Sequence, residues 1–231
     1  MIQAICFDFN GVIIDDERLQ MSAYQEVLKN YDIDLTEEIY FSALGMDDKR
    51  FVHHAFESAG KPLSAETLNA VLDAKSIIHR KLIENELPLF PGVVTFLKAA
   101  ARHFDLCLVS MATRDEIGYV LDRARLRNLF SVLVTTEDVN ACKPSPACYQ
   151  RALEDLNKVR HERRLLPLAA KESLVIEDSP PGIQSGRAAE MRTLGVTNTV
   201  AEDDLRAAGA EVVTRSLADW TVDAVRLVYN T

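Results

Sequence analysis

Two periods of apolar residues alternate along this chain. Residues 2–16 read IQAICFDFNGVIIDD, where Ile5, Cys6, Phe7 and Phe9 form a run without Gly or Pro that closes on Asp8, Asn10 and Gly11. A short apolar run with no polar alternation is the pattern of a strand buried on both faces. Comparable runs recur at 106–109, 132–134, 174–176, 193–196 and 212–213. Helical spacing fills the intervals at 93–101, 117–124, 146–156, 183–190 and 220–228. Repeated strand–helix units predict an α/β fold with a doubly wound parallel sheet.

One long interval departs from this rhythm. Between 17 and 86 no strand pattern occurs. Tyr24, Val27, Leu28 and Tyr31 fall at i, i+3, i+4 and i+7, one face of a helix. Thr36 before Glu37 and Glu38 reads as a helix N-cap, with Gly45 at the matching C-cap. Val52, Ala55, Phe56 and Ala59 mark a further helix. Ser64 caps another, whose face is Leu68, Val71, Leu72, Lys75 and Leu82. The interval therefore predicts a small all-helical unit over 16–87, inserted into a core made of 1–15 and 88–231. The PLFPG segment at 88–92 is the return hinge.

Composition narrows the function classes. The chain has 231 residues, 48% hydrophobic and 26% charged, which suits one globular domain with a modest insertion. A formal charge of −9 argues against nucleic acid or an anionic membrane as partner. The same charge means that an anionic substrate needs a local cation, either a metal or a lysine. No apolar stretch approaches the roughly 18 residues of a membrane-spanning helix. Met1-Ile2-Gln3 leads straight into a strand, so no signal peptide is read. The four cysteines lack C-x-x-C spacing and read as reduced thiols of a cytoplasmic protein, a monomer or weak homodimer. The stretch NKVRHERRLLPLAAK at 157–171 reads as a lengthened, solvated helix and loop, or as a contact surface for a partner.

Candidate chemistry sits at the ends of the apolar runs. A carboxylate at the end of a buried strand costs several kcal/mol unless a charge meets it, so Asp8 needs a partner. Ser110 ends the run in LCLVSMATR, Lys143 lies in ACKPSPACY, and Glu177-Asp178 end the run in LVIEDSPPG. Each has an ordinary reading alone: a turn, a strand-end hydroxyl, a surface lysine, an N-cap for the helix at Gly182. Together they fall in order along the carboxyl edge of a parallel sheet, where ligands bind in such folds.

This series resembles the haloacid dehalogenase superfamily, mostly phosphatases and phosphomutases. Its motifs are D-x-D-G-V/T, a strand-end Ser/Thr, K-P, and an acidic pair followed by S-x-x-G. The resemblance spans nearly the whole chain and implies a Rossmann-like core with a helical cap inserted after the first strand. It implies a nucleophilic Asp8 that forms an aspartyl phosphate with a small phosphorylated metabolite. With Asp8, the pair Glu177 and Asp178 offers an all-oxygen site suited to Mg²⁺. By resemblance Asp178 is the direct ligand, Glu177 acts through water, and the Asn10 backbone carbonyl completes the set. Ser110, the backbone of Met111 and Ala112, and Lys143 would clamp the phosphate. In the cap, Gly45, Lys49 and Arg50 of GMDDKR form the expected substrate loop.

Position 10 departs from the pattern. The family's acid–base aspartate is Asn10 here, and an amide can hydrogen-bond but cannot donate a useful acid proton. General acid–base help is worth about 10²–10⁴ in rate. Three explanations stay open: substrates with good leaving groups such as acyl phosphates, an acid supplied by Asp15, Asp16, Glu17 or a cap histidine, or a replacement introduced to trap a complex. The alternatives to a phosphatase are a sugar phosphomutase, a phosphonate hydrolase with Lys49 as Schiff-base lysine, and a binder of phosphorylated ligands.

Overall fold

The protein is described from a computed structural model covering residues 1–229. Six strands form one parallel sheet: β1 (Ala4–Phe7), β2 (Asp105–Val109), β3 (Val132–Val134), β4 (Ser173–Glu177), β5 (Arg192–Val196) and β6 (Val212–Thr214). Their order is β3-β2-β1-β4-β5-β6. The helices are α1 (Glu17–Leu28), α2 (Glu37–Ser42), α3 (Asp48–Ser58), α4 (Ala65–Leu82), α5 (Val93–Ala100), α6 (Arg114–Ala124), α7 (Ala147–Glu162), α8 (Pro180–Ala188), α9 (Glu202–Ala207) and α10 (Val222–Tyr229). The α/β, doubly wound, Rossmann-like core is as expected.

Pleating explains why the strand runs are apolar throughout. Ile5 and Phe7 pack into one layer with Val93, Leu97, Ile117, Leu121 and Val225, the inner faces of α5, α6 and α10. Ala4 and Cys6 point the other way, onto Tyr149, Ala152 and Leu156 of α7. Both faces of the sheet are therefore covered, and alternation has no polar side to reveal. Helices α1 to α4 have a separate apolar cluster built on Tyr24, Leu28, Phe51, Phe56 and Val71. Thr36 and Ser64 cap α2 and α4 as expected, accepting from the N–H groups of Ile39 and Thr67.

The sheet topology fixes where the chain ends converge. β1 lies between β2 and β4, with Phe7 level with Leu108 and Ile176. The strand order reverses there, so a crevice opens at the carboxyl end of β1. Ladder bonds extend one residue beyond the strands: Asp8 N–H donates to Ile176 O and Ser110 N–H to Val134 O, both at 3.0 Å.

Several expectations need correction. Gly45 is no C-cap, because α2 ends at Ser42 with Ala43 as its cap. Gly45 has φ +85°, and a Cβ there would lie 2.8 Å from Pro181 Cγ, so glycine lets this loop approach the start of α8. Leu82, placed on the buried face of α4, is 46% exposed. Helix α7 runs on to Glu162, and its basic stretch is not simply solvated. Arg160 is buried, with Nη1 on Asp105 Oδ2 at 2.7 Å and Nη2 on Gln3 Oε1 at 2.9 Å. It holds the amino-terminal edge of the sheet. Helix α9 buries Leu205 alone, too little for apolar spacing to announce it. No helix among the described residues is long and apolar enough to cross a membrane.

Candidate active site

Asp8, Ser110, Lys143, Glu177 and Asp178 meet at the carboxyl end of β1. Lys143 reaches in from the loop before α7, and its Nζ lies 2.9 Å from Asp8 Oδ1 and 2.6 Å from Glu177 Oε1. The partner that a buried Asp8 requires is thus this lysine. Burial disfavours the Lys143 ammonium, but Asp8 and Glu177 outweigh it and hold the group well above the usual lysine range. Ser110 is buried, and its Oγ accepts from the Ala112 N–H at 3.1 Å. Met111 and Ala112 line the same cavity.

The acidic side of the site is over-supplied with charge. Asp8, Glu177 and Asp178 each bring a carboxylate oxygen within 4.8 Å of the others. Lys143 is their one ion-pair partner among the described residues. Burial, then Glu177, push Asp8 up to about 7 despite Lys143. Burial, Glu177 and Asp8 push Asp178 up as well. A cluster of buried oxygens with surplus negative charge fits a hard divalent cation. Glu177 is already occupied: Lys143, the Tyr149 hydroxyl at 2.7 Å and Ser179 Oγ at 3.0 Å all engage it. Among the described residues Asp178 is met only by the Thr199 hydroxyl, which leaves it oxygen to spare. The N-cap of α8 is Ser179, which accepts from Gly182 N–H, rather than the acidic pair.

Gly11 makes the cluster possible. It has φ +74°, and a Cβ there would overlap Asp178, 1.9 Å from Oδ2. Asn198 and Thr199, after β5, close the far side. Asn198 Nδ2 donates to Gly11 O at 2.7 Å, while Thr199 holds Asp178. Sequence reasoning missed both, although a polar Thr-Asn-Thr stretch directly after an apolar strand was the available signal.

The amide at position 10 has a definite partner. Asn10 Nδ2 donates to Asp16 Oδ1 at 2.9 Å and Oδ2 at 3.1 Å. Asp16 is fully buried and also meets Gln20 Nε2 at 3.1 Å and His79 Nε2 at 2.9 Å. Asp15 is exposed. Glu17 lines the cavity, where its Oε2 accepts from the Tyr40 hydroxyl at 2.7 Å. Burial, then Asp16, push Glu17 up to about 7.

The helical insertion supplies the other wall, with different residues from those expected. Gly45 lines the cavity, but Lys49 and Arg50 do not. Lys49 is exposed on α3. Arg50 pairs with Asp47 at 2.9 Å and donates to Asn140 O at 2.8 Å, tying the insertion to the loop before Lys143. The cation that faces the cavity from the insertion is Lys75, paired with Asp48 and Glu116. Spacing placed Lys75 on the inner face of α4, but helical periodicity cannot distinguish a core position from a cavity wall.

With fold and site in place, the chain can be assigned: residues 5–196 match the model of the haloacid dehalogenase-like hydrolase family, and the chain belongs to it. It is a hydrolase by that membership. Among relatives, it is 26% identical over 208 residues to a phosphorylated carbohydrates phosphatase of Thermotoga maritima, covering 86% of this chain and 87% of the relative. It is 29% identical over 205 residues to the putative phosphatase YhcW of Bacillus subtilis, covering 87% and 86%. In fold it is similar to a crystal structure of beta-phosphoglucomutase from Clostridium difficile, with TM-score 0.85, 22% identity, and coverage of 100% and 98%.

Proposed function

We propose that the protein is a Mg²⁺-dependent phosphatase of small phosphorylated metabolites, working through an aspartyl phosphate on Asp8. One observation carries this reading. Lys143 joins Asp8 to Glu177 at the sheet's switch point, with an oxygen of Asp178 inside the same cluster. A carboxylate so placed can attack phosphorus, and the acyl phosphate formed divides one difficult transfer into two. Lys143 neutralises non-transferring oxygens, and Ser110 with the backbone of Met111 and Ala112 orients them. Asp8, Asp178 and the Asn10 carbonyl would hold the cation, and Glu177 positions Lys143. The cation, when bound, screens the repulsion between carboxylate and phosphate. Residues 16–87 act as the cap that excludes water. Of the stand-ins weighed for the missing acid, Glu17 is the one that lines the cavity, so it is assigned the proton exchange at the leaving oxygen. The names of the Thermotoga and Bacillus relatives support the same reading.

Lys49, the Schiff-base lysine of the phosphonate reading, is exposed on α3 and does not line the cavity, and Lys75, which does, is ill suited to the role because a Schiff-base lysine must release its proton. Burial works in that direction, but Asp48 and Glu116 win and hold the ammonium above the usual lysine range. The test is p-nitrophenyl phosphate hydrolysis with and without Mg²⁺ by this chain and by Asp8→Ala. Metal-stimulated turnover that disappears in Asp8→Ala is the expected result. Turnover that survives the substitution would overturn the assignment.

A further inference from the structure

The cavity has two chemically opposite ends. The sheet-edge end carries Lys143 and Ser110. The far end, built by α1, α3, α4 and α6, is lined by Glu17, Gln20, Asp48, Lys75 and Glu116. Lys75 is the sole cation among these five, and it is already committed. Its Nζ lies 2.8 Å from Asp48 Oδ2 and 2.9 Å from Glu116 Oε1, and the residue is 1% exposed. Asp48 and Glu116 between them cancel the ammonium with one negative charge left over.

A second observation is independent of charge. Gln20 is 7% exposed, and while its Nε2 donates to Asp16, its Oε1 receives no hydrogen bond from the described residues. A buried acceptor left without a donor is costly unless a ligand fills the position. Acceptor oxygens therefore outnumber donors on this wall, whose donors are the committed Lys75 ammonium, the Tyr40 hydroxyl given to Glu17 and the Tyr24 hydroxyl.

From these contacts we infer that the cavity takes a phosphate monoester whose body is an amine-bearing polyol, with one anionic end and a far end of O–H and N⁺–H donors. The inference rests on the phosphatase reading of the sheet-edge end. It separates this site from a phosphomutase or bisphosphate site, which must offer a second anion an uncommitted cation. A second phosphate some 6 Å from the surplus carboxylate loses on the order of 10²-fold in affinity or more at an effective dielectric near 20.

The experiment compares glucosamine 6-phosphate, glucose 6-phosphate and glucose 1,6-bisphosphate in Mg²⁺, with p-nitrophenyl phosphate as the reference ester. Two readouts are taken: kcat/KM on the chain as it stands, and the Tm shift each compound gives with Asp8→Asn. The expected order is the amino sugar about tenfold above glucose 6-phosphate, and about 10²-fold above the bisphosphate. In Asp48→Asn/Glu116→Gln, which uncovers the Lys75 charge, the ratio of amino sugar to bisphosphate falls at least tenfold. If the double variant does not fold, Glu116→Gln alone serves, because glutamine keeps the helix-start contact with Thr113. A bisphosphate that binds or turns over as well as the amino sugar overturns the inference, even if p-nitrophenyl phosphate is hydrolysed. If no ester is hydrolysed, the phosphatase reading fails and the order of the Tm shifts alone decides the inference.

Discussion

Replacing Asn10 by aspartate is the most informative single change, because it pits catalysis against stability. On the proposed chemistry, a carboxyl at position 10 supplies general acid–base help worth about 10²–10⁴ in rate. The structure attaches a cost to that gain. The amide now donates to both oxygens of the fully buried Asp16, at 2.9 and 3.1 Å. Asn10→Asp replaces this donor with an oxygen facing two oxygens. Two carboxylates about 3 Å apart at an effective dielectric near 20 repel by about 5 kcal/mol if both are ionised. They avoid most of this by sharing a proton, which raises the proton affinity of the introduced carboxyl and suits it to act as an acid.

The residual cost is the loss of an amide bonded to a charged group, about 1–3 kcal/mol. For a chain of this size that corresponds to a Tm lower by about 2–12 °C at neutral pH. The sign with pH follows from linkage. The introduced carboxyl binds its proton more tightly in the folded than in the unfolded chain. The deficit is therefore absent at acidic pH below about 4, grows as pH rises, and levels off above the folded value. The assay is kcat for p-nitrophenyl phosphate and for an alkyl phosphate, alongside Tm at pH 4, 7 and 8.5. The gain should be larger for the alkyl ester, whose poorer leaving group needs the proton more. A variant with unchanged Tm at pH 8.5 and unchanged kcat for the alkyl ester would refute both the Asn10–Asp16 contact and the limiting role of the missing acid.

Three further outcomes follow from the site. Lys143→Met leaves Asp8 and Glu177 buried without a counter-ion, which should cost about 3–5 kcal/mol and lower metal-free Tm by about 6–20 °C, as read by calorimetry. Because burial pushes Asp8 to about 7 and Asp178 also upward, the metal-free protein should lose stability as pH rises from about 4 to about 7. Mg²⁺ should therefore raise Tm more at pH 8 than at pH 5, and an equal rise at both would count against the carboxylate cluster as the metal site. Gly11→Ala drives a methyl into Asp178 at a φ of +74°, so Mg²⁺ titration should show at least tenfold weaker stimulation of turnover.

The fold was legible wherever burial imposes a period. Strands covered on both faces read as unbroken apolar runs, and the inserted helices showed their Tyr24–Leu28 and Val52–Phe56 faces directly, whereas Tyr31 falls in the turn after α1 and Ala59 is exposed past the end of α3. The candidate site was legible because its side chains sit where polarity interrupts those runs, at Asp8, Ser110 and Glu177-Asp178. The site residues that were misread are held largely by contacts distant in sequence. Lys49 and Arg50 look like substrate cations from composition, yet Arg50 is consumed by Asp47 and by the Asn140 carbonyl, 90 residues away. Lys75 looks like core spacing and turns out to be a cavity cation, because Glu116, 41 residues on, meets it there.

Position 10 is best understood in the same way. As a motif position it reads as a lost catalytic aspartate. In the folded protein it stands beside Asp8, Asp16, Glu17, Glu177 and Asp178, a concentration of acid that Lys143 offsets only at Asp8 and Glu177. An amide at this point removes one negative charge and adds a donor to Asp16, the fully buried member of the set. Asn10 thereby joins the first loop to α1 and, through Asp16 and His79, to α4. The amide that, on the proposed chemistry, cannot serve as the acid fastens the inserted helices to the carboxyl edge of the sheet. Breaking that contact should therefore loosen the insertion and the proposed metal site together, and hydrogen exchange in α1 and α4 of Asn10→Ala is the measurement that separates this role from catalysis.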